Sequence, residues 1–210
     1  MNEYPNRLKK RLISIIDEMS KSPELFIKNP QRDFTRNRKL PFKAMIQLIL
    51  SMGGNTICKE LLELHAYNIN TPTSSAFVQQ RDKILPFAFE FLFRNFIESQ
   101  NEFKKYKGYR LFAVDGSDLQ IATDPKDSEN YFRMSNKKGY SLTHLNTMYD
   151  LCNQLYVDAR LQSRRKYHER KALIEMVDAS NVCEPAILIA DRGYEGYNVI
   201  AHIEKKIGNT

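Results

Sequence analysis

The sequence predicts an α/β domain with a mixed sheet, preceded by an all-α region. Apolar residues recur at helical spacing through residues 1–106, whereas the alternating or wholly apolar runs typical of strands begin only afterwards. The charge balance changes near the same point. Residues 1–106 are therefore predicted to form a basic helical region. Residues 107–210 are predicted to form a domain in the order strand, strand, strand, helix, strand, helix.

The formal net charge of +7 arises entirely in the first half of the chain. Residues 1–108 contain 18 Lys and Arg against 11 Asp and Glu, whereas residues 109–210 contain 14 of each. A basic segment favours a polyanionic partner such as duplex nucleic acid. We expect the first half to contact DNA and the carboxylates of the second half to serve another purpose.

Composition argues against membrane and disulfide-rich classes of protein. No apolar run approaches the roughly 20 residues that a membrane-spanning helix needs, and the start MNEYPNRLKKRL lacks the apolar core of a signal peptide. We therefore expect a cytoplasmic, nucleoid-associated protein without membrane contact. Cys58, Cys152 and Cys183 are far apart and form no Cys-x-x-Cys pair, so neither a disulfide framework nor a zinc knuckle is predicted.

Helical spacing identifies the elements of the first region. Apolar residues between Leu8 and Met19, and again between Phe42 and Leu50, fall on one helix face. The segment TPTSSAFVQQRDKIL predicts a further helix capped by Thr73 or a neighbouring serine, with a helix-turn-helix as one possibility. Its inward residues are expected to be Phe77, Ile84 and Leu85, and its outward residues Gln79, Gln80, Arg81 and Lys83. The aromatic run FAFEFLFRNF is expected to form interdomain core.

Cations of the first region are candidate phosphate ligands. The segment RDFTRNRKLPF places Arg36, Arg38 and Lys39 just before a helix that opens near Pro41. Arg81 and Lys83 add two more cations on the outward side of the later helix. Lys and Arg at such positions suit a DNA backbone, and a solvated basic loop is the alternative.

The second region begins with YRLFAVD, whose apolar residues on both faces predict a central strand. SLTHLNTMYDL and NQLYVDARLQ follow as an expected antiparallel pair joined near Cys152 and Asn153. The second member should point Leu155, Val157, Ala159 and Leu161 inward. A helix to about Ala179, a buried strand AILIAD and a final helix from Tyr197 to Lys206 complete the order.

Asp115 and Asp191 each stand where an apolar strand is expected to stop. If the two strands are parallel neighbours, the carboxylates converge and can hold Mg²⁺, with Mn²⁺ as a substitute. A pair of such ions supports phosphodiester displacement. The alternative is that each aspartate is only a turn former or a helix cap.

The segments LFAVDGSDLQI and ILIADRGYEGYNVI resemble the DDE-class transposases of bacterial insertion sequences, particularly the insertion-sequence-four type. SSAFVQQRDKI is also similar to the helical region that precedes this family's catalytic domain. The resemblance implies a ribonuclease-H-like fold, in which Asp115 and Asp191 are the first two catalytic and metal-binding carboxylates. The residues that complete the two motifs are Gly116, Ser117, Gly193 and Tyr194.

The family's third carboxylate is a glutamate in a Tyr-x-x-Arg-x-x-x-Glu-x-x-x-x-x-x-Lys motif, which has no match here. Glu195 and Glu204 lie too close to Asp191, and Glu169 reads as a first-turn acid of its helix. We therefore expect a carboxy-terminally truncated chain with impaired or absent activity.

Further side chains near the expected site have less distinctive patterns. Asp118 and Asp124 are interpreted as turn residues or outer partners of Asp115, and the four histidines show no zinc spacing. Four cations flank the predicted strands and could clamp DNA phosphates, or could belong to solvated loops: Lys137, Lys138, Arg164 and Arg165.

Three functions remain open from the sequence. The intact enzyme of the resembled family would bind transposon ends and target DNA, as a homodimer that pairs two ends, and catalyse Mg²⁺-dependent cleavage and strand transfer. A non-catalytic DNA-binding remnant or competitor shares the same basic region. A phosphatase-like hydrolase with Asp115 as nucleophile would act on small phosphate esters but leaves the basic half unexplained.

Overall fold

The fold is described from a computed structural model of the chain, for residues 3–36, 39–100 and 102–208. The chain divides into two units, Met1–Asn101 and Glu102–Thr210. Among the described residues, no helix combines the length and the apolar character that crossing a membrane requires.

The first unit is helical, as its periodicity predicts. Its described helices are α1 (Tyr4–Met19), α2 (Phe42–Ser51), α3 (Ile57–Leu64), α4 (Ser74–Arg81) and α5 (Phe87–Glu98). Side chains from α1, α2, α4 and α5 meet in one core that includes Ile16, Met45, Phe77 and Leu92. The aromatic helix α5 thus contributes to the core of this unit.

Helix α4 differs in part from its prediction. Thr73 caps it, because the Thr73 hydroxyl oxygen accepts a hydrogen bond of 3.2 Å from the backbone N–H of Ala76. However, the helix ends at Arg81, so Ile84 follows the helix, and the expectation that Gln80 points outward is wrong. Gln80 is buried since it lies three residues after Phe77, on the same helix face.

The second unit is a mixed α/β domain with a mixed sheet, which confirms the predicted fold class. Its elements are β1 (Arg110–Ile121), β2 (Tyr131–Phe132), β3 (Tyr140–Asp150), β4 (Leu155–Ser163), α6 (Glu169–Ala179), β5 (Ala186–Ala190) and α7 (Tyr197–Gly208). The two-residue strand β2 and the short 3₁₀ turn Arg192–Tyr194 are additional to the predicted order.

Strand β1 is central, as predicted, because it pairs antiparallel with β3 on one side and parallel with β5 on the other. The far edge of β3 pairs with β4 and, over two residues, with β2. Phe112 and Val114 of β1 are buried against Leu173 and Met176 of α6, in a core that includes Val199 of α7. The helices α6 and α7 therefore pack on the sheet face that carries Phe112 and Val114.

The prediction that β1 stops at Asp115 is wrong. The strand continues to Ile121, because the long strand β3 supplies partners from Thr147, opposite Asp115, to Ser141, opposite Ile121. What ends near Asp115 is the pairing of β1 with β5, whose last register pair is Val114 with Ala190.

The predicted alternation of β4 is wrong after Val157. Tyr149 pairs with Tyr156 and Met148 with Asp158, so Val157 is an extra residue in a β-bulge. An extra residue reverses the facing of every later side chain. Leu161, expected inward, is consequently 69% exposed.

Strand β5 is apolar but is not buried on both faces as predicted. Ile187 and Ile189 are 39% and 47% exposed, whereas Leu188 packs against the core. Alternate residues of a strand face opposite sides of the sheet. In the described part of the chain, the side of β5 that carries Ile187 and Ile189 remains open.

Candidate active site

Asp115 lies in β1, and Asp191 directly follows the neighbouring parallel strand β5. Each is the residue that directly follows the register pair Val114–Ala190. Paired strands lie about 4.8 Å apart, and positions at equal steps from a register pair share one face of the sheet. Both aspartates are exposed. The condition set by the sequence, that the two strands be parallel neighbours, is confirmed.

Backbone N–H groups orient one oxygen of each carboxylate. Asp115 Oδ1 accepts a hydrogen bond of 2.8 Å from Gly116 N, and Asp191 Oδ1 accepts one of 2.7 Å from Gly193 N. Asp191 thereby caps the short 3₁₀ turn Arg192–Tyr194, as the alternative interpretation of this residue expects. A Cβ at position 193 would lie 2.9 Å from Asp191 Oδ1, which explains the glycine there.

The two carboxylates suit a hard divalent cation. They supply anionic oxygens, and within the described residues neither forms an ion pair with Lys, Arg or His. In the part of the chain that the structure covers, no three side chains of the His, Cys, Asp or Glu type form a group that could hold a metal ion. The described donor set for such an ion is therefore the aspartate pair itself.

Tyr194 connects this pair to the interior of the unit. Its side chain is buried, and its hydroxyl has no hydrogen-bond partner among the described groups. Burial raises the pKa of Tyr194 most, and the negative charges of Glu169, Asp115 and Asp191 raise it further. The phenol therefore lies within electrostatic reach of three carboxylates.

Gly116 brings together residues that sequence reasoning did not combine. The His144 ring and the Glu169 carboxylate both lie against it, with His144 Nε2 3.2 Å from Glu169 Oε1. The sequence patterns predict a helix first-turn acid at Glu169 and show no zinc spacing at His144. Glu169 does begin α6, but only the pairing of β1 with β3 places His144 near it. Ser117, the other residue of this motif, is exposed.

Asp118 is a strand residue with two partners. Asp118 Oδ1 accepts a hydrogen bond of 2.8 Å from His144 Nδ1, and Asp118 Oδ2 accepts one of 2.7 Å from Arg164 Nε. These bonds, with His144 as the larger cause, lower the pKa of Asp118 against an opposing contribution from desolvation. The interpretation of Asp118 as a turn residue is therefore wrong, because β1 runs through it.

Several predicted phosphate ligands of the first unit surround two neighbouring grooves. Lys39 and Lys83 line one groove together with Gln79, whereas Arg36 and Lys83 line the other. Arg81 is exposed, and its guanidinium lies 6.0 Å from the centre of the Phe77 ring. Arg38 lies outside the described residues.

The predicted cations of the second unit differ in their availability. Lys137 and Lys138 are exposed in the turn between β2 and β3. Arg164 is paired with Asp118, and its guanidinium stacks on the Tyr167 ring at 4.4 Å. Arg165 is exposed and donates one hydrogen bond of 3.0 Å to the carbonyl oxygen of Tyr131.

Comparison with known proteins gives one match. Residues 106–209 match the family described as Transposase DDE domain, which supports a DDE transposase. The matched segment spans every strand and helix from β1 to α7, and it contains both Asp115 and Asp191. No curated protein and no solved structure matches the chain.

Proposed function

We propose that this chain, whose residues 106–209 match the Transposase DDE domain family, is a transposase of the insertion-sequence-four type with a ribonuclease-H-like catalytic domain. In this proposal Asp115 and Asp191 carry the chemistry, and residues 1–106 bind DNA. The observation that supports it most is the parallel register of β1 and β5, because Asp115 and Asp191 each directly follow its last pair, Val114 and Ala190.

Asp115 and Asp191 would hold Mg²⁺ or Mn²⁺. Carboxylate oxygens are the ligands that these ions prefer, and the N–H groups of Gly116 and Gly193 already orient one oxygen of each aspartate. When bound, a metal pair activates an attacking oxygen and stabilises the leaving oxygen of a phosphodiester. The protein contributes the fixed positions of the two carboxylates.

Tyr194 anchors the turn that carries Asp191. Tyr194 lies three residues beyond Asp191 in the chain. Its ring packs in the core with Phe112, Leu173 and Val199. Because its pKa is raised, the phenol stays neutral and adds no charge beside the carboxylates. A rigid anchor of this kind keeps Asp191 aligned with Asp115 while DNA binds.

The first unit would bind duplex DNA through its cations. Arg36, Lys39, Arg81 and Lys83 are the proposed phosphate contacts of this unit, to which the second unit adds Lys137, Lys138 and Arg165. Contacts of this type position DNA without reading its sequence. Strand transfer between two transposon ends and a target would require two copies of the chain, so we propose a homodimer in the synaptic complex.

A nicking assay on transposon-end duplex DNA with Mg²⁺ tests the proposal. With the family's third carboxylate supplied by an extended chain, we expect cleavage that is abolished by chelation and by Asp115→Asn or Asp191→Asn, and preserved in Asp178→Asn, which alters an exposed aspartate of α6. Salt-sensitive DNA binding without cleavage would instead support a non-catalytic DNA-binding protein, for which the basic first half is the favouring observation. Hydrolysis of small phosphate esters without DNA binding would contradict both.

A further inference from the structure

A gap above Gly116 is surrounded by polar atoms of three side chains. A Cβ at this position would lie 2.6 Å from His144 Nε2, 2.8 Å from Glu169 Oε1 and 3.1 Å from Asn146 Oδ1. Only glycine leaves this space open without displacing its neighbours. The three atoms come from β3 and from the first residue of α6.

Asn146 presents its oxygen to the gap. Its Nδ2 donates a hydrogen bond of 3.2 Å to Gln162 Oε1, which also accepts a bond of 2.9 Å from the backbone N–H of His168. Gln162 Oε1 is thus an acceptor, so the amide nitrogen of Asn146 must face it. Asn146 is 0% exposed, and its Oδ1 has no hydrogen-bond partner in the described structure.

His144 presents Nε2 to the same gap. Its Nδ1 lies 2.8 Å from Asp118 Oδ1, which accepts a hydrogen bond from that nitrogen. Nε2, the other ring nitrogen, belongs to a residue that is 5% exposed. Nε2 has no hydrogen-bond partner among the described groups, because its approach to Glu169 does not have hydrogen-bond geometry.

We propose that His144 Nε2, Glu169 Oε1 and Asn146 Oδ1 form a binding site for a first-row divalent transition-metal ion, with Zn²⁺ as the probe. The three atoms converge on the position above Gly116, and a cation would satisfy all three. Ligands that lie about 2.1 Å from an ion, at a tetrahedral angle, are about 3.4 Å apart. The separation of Nε2 and Oε1 is 3.2 Å.

The surroundings of His144 fit this interpretation. A histidine that binds a metal through one nitrogen commonly donates its other N–H to a carboxylate, which fixes the ring. Asp118 takes this part, and Arg164 holds Asp118 in turn at 2.7 Å. An imidazole ligand favours Zn²⁺ and related ions over Mg²⁺. The site uses none of the atoms of Asp115 and Asp191, so it does not depend on the proposed function.

Calorimetric titration of Zn²⁺ alone into the full chain tests the site. The titration is done in an Asp115→Asn, Asp191→Asn background, so that the aspartate pair does not compete. We expect one equivalent of Zn²⁺, at least about tenfold weaker binding in Glu169→Gln, and no specific binding in His144→Ala. His202→Ala, an exposed histidine of α7, is the matched control and should leave the affinity unchanged.

Nitrogen NMR of His144 gives a second readout that does not depend on the buried variant folding. Zn²⁺ should shift Nε2 while Nδ1 keeps its proton. The proposal is overturned if the background protein binds no Zn²⁺, or if Glu169→Gln binds it with undiminished affinity. It is also overturned if both ring nitrogens are protonated at neutral pH, which would mean that an imidazolium bridges Asp118 and Glu169.

Discussion

Arg110 of β1 and Asp150 at the end of β3 form an ion pair in the interior of the second unit, with Arg110 Nη2 2.6 Å from Asp150 Oδ2. Their side chains are 4% and 0% exposed. The second oxygen of Asp150 accepts hydrogen bonds from the backbone N–H and the side-chain amide of Asn153. The pair therefore joins the start of β1 to the turn that follows β3. In β1, Arg110 lies five residues before Asp115.

Replacing Arg110 should destabilise the second unit strongly. Arg110→Met leaves the Asp150 carboxylate buried without its cation, which costs about 3–5 kcal/mol of unfolding free energy. Lys171→Met, which removes a solvent-exposed ion pair with Glu175 in α6, should cost about 0.5 kcal/mol or less. Urea denaturation of both variants measures the difference. Similar losses of unfolding free energy for the two substitutions would show that the buried ion pair contributes no more to stability than the exposed one.

Tyr194 should ionise at a higher pH than an ordinary tyrosine. Burial, and then the charges of Glu169, Asp115 and Asp191, disfavour the tyrosinate. Its contribution to stability is fully present below the ordinary tyrosine pKa of about 10 and is lost as pH rises beyond it. Ultraviolet titration should show that Tyr194→Phe lacks a strongly alkaline transition, which Tyr156→Phe, changed at an exposed position, retains.

The same titration reports how close the aspartates are to Tyr194. In Asp115→Asn, Asp191→Asn the pKa of Tyr194 should fall, because two negative charges are removed. It should stay above the ordinary value, because burial is the larger cause. An unchanged alkaline transition would indicate that neither aspartate lies near the phenol.

DNA affinity should depend on the cations that line the grooves of the first unit. Lys39→Ala, Lys83→Ala should weaken duplex binding and reduce the slope of log affinity against log salt by about 2. Lys59→Ala, Arg94→Ala removes the same charge from two residues that are already in helical ion pairs and should change the slope less. Fluorescence anisotropy at several salt concentrations measures both. Equal slopes in the two double variants would show that the cations of the grooves do not contact DNA.

Gly116→Ala should lower the stability of the second unit. The added methyl group would overlap His144 Nε2 at 2.6 Å, and the ring is buried and held by Asp118, so the strain should cost about 1–3 kcal/mol. Gly54→Ala is the control, because a Cβ there meets no atom within 4 Å. Thermal unfolding of the two variants distinguishes them. If Gly116→Ala unfolds like Gly54→Ala, the gap above Gly116 has room that the structure does not show.

Much of the fold could be predicted from the sequence because its signals are local. These signals depend only on neighbouring residues: the helical spacing of apolar residues in α1, α2 and α6, the cap at Thr73 and the apolar run of β5. The adjacency of Asp115 and Asp191 could be stated only as a condition, because the sequence does not show which strands are parallel neighbours in the sheet.

What could not be predicted depends on contacts between distant segments. The bulge at Val157 has no local signature, yet it turns Leu161 outward. The continuation of β1 beyond Asp115 depends on the length of β3. The meeting of His144 with Glu169 above Gly116 requires the pairing of two strands and the packing of a helix. Polar residues on these segments show no spacing that would reveal it.

The most direct test of the central claim is a Mg²⁺ titration of the full chain followed by the side-chain carboxyl ¹³C resonances of Asp115 and Asp191. Both resonances should shift with one common apparent Kd, while exposed Asp82 stays unchanged. In Asp191→Asn the response of Asp115 should require at least about tenfold more Mg²⁺, since removal of a ligand weakens a shared site. An Asp115 resonance that responds to Mg²⁺ identically with and without the Asp191 carboxylate would contradict a jointly held metal ion.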